Sequence, residues 1–211
     1  WRSAKFLGIF SFMQGEFRRA IEHFEMAQRP VGEAGAHLIN PYAPLFMAVS
    51  CTCLGEFHRA IGILDYHWRG AEQEGRSGLA AVFRAQLGIV LLLVNNRKEG
   101  LSNLEVALTA ATKNSHALAR YLAQAGTAYH HFRECRLTES WDNFYQALQA
   151  AEESVIVRQY GSAFVLEMLY EFKRLGYEPL RGFDFDAEAE KILAGPNKHL
   201  RGVALRLLAV E

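Results

Sequence analysis

Apolar residues recur along nearly the whole chain at spacings of three and four, the period of helices that bury one face. Phe6, Ile9, Phe10 and Met13 predict a first helix that stops near Gly15. Phe17, Ile21, Phe24 and Met26 predict a second, closed by Pro30. Three prolines and two glycines between Pro30 and Pro44 predict a loop. Residues 43–54 and 57–74 read as the next two helices, followed by a turn at 75–78. Residues 79–94 and 99–112 form another pair, and Ser115 is expected to cap a helix over 116–133. A helix from about residue 138 to 153 follows, then a long apolar one over 155–175 that ends at Gly176. Beyond it the rhythm breaks: 178–182 is irregular, and 186–193 is a short helix that Asp184 or Asp186 can cap. A Gly195-Pro196-Asn197 turn then leads to a last helix near His199. With no Asn-Gly hairpin and no clean period-2 alternation, the expected fold is all-α.

The pattern repeats at a fixed distance. Gly15-Glu16-Phe17, Ala20 and Phe24 return as Gly55-Glu56-Phe57, Ala60 and Leu64. Asn95, Arg97, Gly100, Leu104 and Ala107 follow, and then Leu137, Ser140, Phe144 and Ala147. Gly8, Ala48, Gly88 and Ala128 share one register, and Ala20, Ala60, Gly100 and Ser140 another, each forty residues apart. Small side chains let helix backbones come close, while the neighbouring large ones fill the space beside them. Each unit is expected to hold two antiparallel helices, and units that cannot bury their apolar faces alone should stack.

Leu7-Gly8, Gly15, Phe17, Ala20, Phe24, Ala27 and Pro30 resemble the tetratricopeptide-repeat (TPR) motif. Met47-Ala48, Gly55, Phe57, Ala60 and Leu64 match it well, Leu87-Gly88, Leu104 and Ala107 fairly, and the fourth unit only at Ala128, Phe144 and Ala147. The period exceeds the family's usual length of about 34 residues. It is similar to the extended repeats of MalT-like transcription activators. The tail from Phe183 to Arg206 is similar to a segment in the repeat regions of large bacterial sigma-54-interacting regulators. The resemblance implies a right-handed α-α superhelix over residues 1–175, with 176–211 continuing or capping it. It implies an interaction or regulatory module of a bacterial transcriptional regulator, LuxR/MalT-type or sigma-54-interacting, with a cytoplasmic location. The opening at Trp1 and the close at Glu211 within helical spacing suggest a piece of a larger protein.

Composition agrees with a packed binding module. Half of the 211 residues are hydrophobic, and 23 basic residues balance 23 acidic ones. A neutral chain with interspersed charges, such as Arg18-Arg19 beside Glu16 and Glu22, offers no basic face to nucleic acid. The most apolar run, 87–94, is shorter than the roughly 18 residues of a membrane span, so no membrane partner is expected. Three cysteines give no disulfide framework and suggest a reducing compartment.

No chemical constellation emerges. Cys51 and Cys53 diverge on a helix and read as small buried hydrophobes rather than metal ligands. His131 and Cys135 have i,i+4 spacing beside His130 and Glu134, but a third ligand is lacking. Glu152-Glu153 diverge, and Asp184-x-Asp186 is better explained by helix capping than by acid–base chemistry. Gly195-Pro196-Asn197-Lys198 lacks the ending of a phosphate loop, and no G-x-S-x-G elbow is present. The chain is therefore expected to be non-catalytic and to need no cofactor or metal.

In the repeat family the first helix of each unit lines the concave wall. Helical spacing from the matched glycines puts Arg2, Lys5, Ile9, Phe12, Tyr42, Leu45, Val49 and Thr52 there. Val82, Ala85, Ile89, Leu92, Leu122, Ala125, Tyr129, Phe132 and Arg133 continue it. An apolar groove of this kind suits a peptide or protein partner, another domain of the parent protein, or a second copy. The alternatives are core packing of the same stripe, or a small-molecule effector that stacks on Tyr42, Tyr129 and Phe132.

Overall fold

The computed structural model describes residues 2–28, 41–152, 162–178 and 183–210. Within these residues the chain is all-helical: α1 (Arg2–Met13), α2 (Phe17–Gln28), α3 (Ala43–Cys53), α4 (Phe57–Gln73), α5 (Ser77–Leu93), α6 (Arg97–Lys113), α7 (Ala117–Arg133), α8 (Leu137–Glu152), α9 (Ser162–Arg174), α10 (Phe185–Ala194) and α11 (Lys198–Leu208). The expected loop at 30–44 falls mostly outside the described residues, as does the first part of the helix expected over 155–175. Among the described residues no helix is long and apolar enough to cross a membrane.

Among the described residues one device ends α1, α3 to α7 and α9. Residues 55, 75, 95, 115 and 135 lie twenty apart, and all five take a left-handed backbone, with φ between 50° and 78°. At the second of these ends the Gly75 N–H donates to Glu72 O at 3.0 Å and the Arg76 N–H to Ala71 O at 2.8 Å. This pair of bonds satisfies carbonyls that the helix end would otherwise leave without partners. The same two bonds recur at Gly15, Gly55, Asn95, Ser115, Cys135 and Gly176. Glycine takes this conformation without strain and asparagine tolerates it; serine and cysteine occupy it at a cost.

Two sequence expectations change here. Ser115 terminates α6 rather than capping α7; His116 is the cap, its ring Nδ1 accepting from the Ala119 N–H. Ser77 and Gly78 are helical rather than part of a turn, because the left-handed residue two positions earlier has already reversed the chain. At the other end of the molecule Asp184, not Asp186, caps α10, and Asn197 caps α11.

Consecutive helices from α1 to α8 pack side by side, and the odd-numbered helices α1, α3, α5, α7 and α9 also touch in succession. Phe24, Leu64, Leu104 and Phe144, one per second helix, are all buried. The small residues sit where helices cross: a Cβ on Gly88 would lie 2.9 Å from Gly100 O, and one on Gly8 would lie 2.7 Å from the Phe24 ring. The tail then folds back. Helices α10 and α11 pack on α9, and the Lys198 N–H donates to Gln14 O at 3.0 Å, beside the α1–α2 turn.

Candidate partner surface

Most of the stripe read from the sequence is enclosed. Lys5, Phe12, Leu45, Val82, Ala85, Ile89, Leu122 and Ala125 are buried. Ile9, Tyr42, Val49 and Thr52 are half-buried. Arg2 opens α1, and its side chain lies outside the described residues. The enclosing contacts are specific. The Phe12 ring lies 5.0 Å from Phe46 and 5.9 Å from Phe17. Tyr42 Oη lies 3.4 Å from His116 Nε2. With Nδ1 of that ring accepting from Ala119, Nε2 carries the proton and donates to the phenol.

Four of the expected residues gather at an accessible edge. Leu92, Tyr129 and Arg133 line a small cleft with Asn95, Arg97, His130 and Glu134. Phe132, next to this cleft, packs on the Phe172 ring at 5.9 Å, and Tyr129 packs on Phe164 at 5.4 Å. The Arg133 guanidinium sits 5.9 Å from the Tyr129 ring centre, so cation and aromatic face already interact. Arg97 pairs with Glu134 at 2.6 Å across the turn. The edge thus presents an aromatic ring, an exposed cation and a partly satisfied acid side by side.

The metal alternative loses its spacing. Cys135 is the left-handed residue after α7, so it no longer lies one turn along the helix from His131. Among the described residues no three His, Cys, Asp or Glu side chains are placed to hold a metal ion. His130 and His131 both titrate below the usual histidine range because burial disfavours their charged form. Cys51 is buried, and its thiol is pushed up to about 11 by that burial; Cys53, also expected in the core, keeps one side open to solvent while the atoms packed around it push its thiol up to about 12, and Cys135 is exposed.

A second surface had no forecast in the sequence. Across the tail, Lys198 Nζ lies 2.7 Å from Glu16 Oε1, and the His199 ring packs 5.2 Å from Phe17. The Lys198 ammonium holds the Glu16 carboxyl below the usual carboxylate range, with Arg19 adding to the effect. Lys173 pairs with Asp186 at 2.8 Å, Tyr170 packs on Phe185, and Arg206 pairs with Glu167. The Gly195-Pro196-Asn197 turn and its cap are local and legible; its docking onto Gly15 joins residues more than 180 positions apart and leaves no local mark. No protein-family model, no curated protein and no solved structure matches the chain.

Proposed function

We propose that the chain is a non-catalytic, TPR-like interaction module, a right-handed α-α superhelix that holds a peptide or protein partner within a bacterial transcriptional regulator of the cytoplasm. The observation that carries this reading is the succession of α1, α3, α5, α7 and α9 against one another, with helix ends at a twenty-residue cadence. Stacks of paired helices leave one row of helices available as a continuous binding wall. The accessible part of that row is the edge at Leu92, Tyr129, Phe132 and Arg133, where the partner, another domain of the parent protein or a second copy, engages. An aromatic–arginine pair is the kind of anchor that concentrates binding energy. The resemblance to MalT-like and sigma-54-interacting regulators supports the regulatory assignment.

The test is site-specific photocrosslinking in cells. A photoreactive residue in place of Phe132 is expected to give a discrete adduct that Tyr129→Ala combined with Arg133→Glu removes. A protein that stays uncrosslinked, or an adduct indifferent to those two substitutions, would overturn the assignment of this edge.

A further inference from the structure

Between the tail and the stack lies a cavity of about 190 Å³. Phe12, Tyr121 and Leu166 wall it from the stack; Phe183, Glu188 and Leu200 wall it from the tail. The walls are hydrocarbon apart from a few groups. Tyr121 is fully enclosed, and burial together with the nearby Glu188 carboxylate keeps its hydroxyl protonated. Glu188 pairs with Lys191 at 2.6 Å, but Lys191 is largely exposed, so the pair is weak. A carboxylate has about four acceptor positions. Glu188 can therefore keep Lys191 and still accept a hydrogen bond from a molecule inside the cavity.

Size and lining define the class of ligand. Apolar cavities of about 150 Å³ stay dry and take up benzene. The space here admits a ring with one short substituent. A hydrogen-bond donor on that substituent meets Glu188, whereas an anionic group meets a like charge beside a mostly apolar wall.

We propose that this cavity binds a small apolar molecule carrying a single amine or hydroxyl, and that the bound molecule bridges α10–α11 to α1, α7 and α9. The site is separate from the Tyr129–Arg133 edge, so either assignment can fail alone.

The experiment uses the full 211-residue chain and three ring probes of nearly equal size: benzylamine, benzyl alcohol and benzoate. Saturation-transfer NMR and thermal melting report binding; amide exchange over 198–208 reports the tail. Benzylamine and benzyl alcohol are expected to raise the melting temperature with concentration and to slow exchange in α11, as ligands of the native state do. Benzoate is expected to do neither. Leu200→Trp fills the space and should abolish both effects; should it unseat α11, Ile192→Phe makes the same test from α10. Glu188→Gln is expected to weaken benzylamine, a cation near neutral pH, about tenfold by removing its ion pair, and benzyl alcohol less, because its hydroxyl can still donate to the amide oxygen. Failure of both donors to bind, equal binding of benzoate, or binding that survives the filled cavity would overturn the assignment.

Discussion

The Ser140 hydroxyl donates to the carbonyl oxygen of Ala128 at 2.8 Å, buried in the contact between α7 and α8. Forty residues earlier, Gly88 and Gly100 meet at the same register without side chains. A Cβ at position 100 would lie 3.0 Å from the Gly88 carbonyl oxygen and 2.9 Å from Leu92. Backbone cannot swing aside, so Gly100→Ala must separate α5 from α6. We expect a loss of about 1–3 kcal/mol, the usual cost of overpacking. Gly62 supplies the control: it is an exposed residue within α4 with open space around it. Gly62→Ala should gain about 0.5–1 kcal/mol by removing the entropy penalty of a helical glycine. Urea unfolding of the two variants decides between a packing role and a general preference for glycine.

Gly15 and Gly55 share a left-handed backbone, with φ of 73° and 78°, yet differ in surroundings. A Cβ on Gly55 meets nothing within 4 Å, whereas one on Gly15 lies 2.8 Å from both Asn197 Oδ1 and the His199 backbone nitrogen. Alanine at either position pays about 1–2 kcal/mol for the left-handed backbone. Gly15→Ala should in addition lift the tail, raising amide exchange across 198–208. Gly55→Ala should leave that exchange unchanged. Equal exchange in both variants would mean that the tail is not held at this turn.

The two glycines also mark what a sequence can disclose. Helical class and small-residue notches were legible because each is written in residues three, four or forty positions apart. The caps were only half legible. Ser115 looks like a cap by residue type, but the left-handed backbone at this position assigns it to the preceding helix end and passes the role to His116. The burial of Val82, Ile89 and Leu122 was one of two readings that the sequence left open, because helical spacing defines a face and not what lies on it. Here neighbouring helices cover the stripe, as where Ile89 of α5 lies against Gly126 of α7.

Burial gives the molecule an acid-sensitive side. His67, His116 and His199 all titrate below the ordinary histidine range, chiefly because enclosure disfavours the imidazolium. The unfolded chain therefore binds protons more readily than the native one. The stability due to these rings is fully present above about pH 6.5 and is lost as pH falls toward their lowered native values. At His116 the effect has a structural face, since protonating Nδ1 removes the acceptor for the Ala119 N–H at the start of α7. Melting temperature should drop between about pH 7.5 and about pH 5, well above the carboxylate range. His116→Asn keeps an acceptor that does not titrate and should flatten the slope. An unchanged slope would move the acid response to the other rings.

One apolar face of α1 shows how register and burial part company. Phe6, Leu7 and Phe10 are exposed, Phe6 at 73%. Their counterparts forty residues on are Phe46, Met47 and Ser50, all buried beneath neighbours that include α2. The sequence expected Phe6 and Phe10 to share the inner face of the first helix; Phe12 holds the buried position in their place, against Phe17 and Phe46. Exposure predicts tolerance. Phe6→Ser and Phe10→Ser should each alter unfolding free energy by less than about 0.5 kcal/mol, as for surface sites generally. Phe24→Ala, at a fully buried ring that seats against Gly8, should cost about 3–5 kcal/mol by leaving a cavity. Chemical denaturation of the three variants at one protein concentration makes the comparison. A loss at Phe6 or Phe10 that rivals the loss at Phe24, and that shrinks on dilution, would show that another helix layer covers this face in solution.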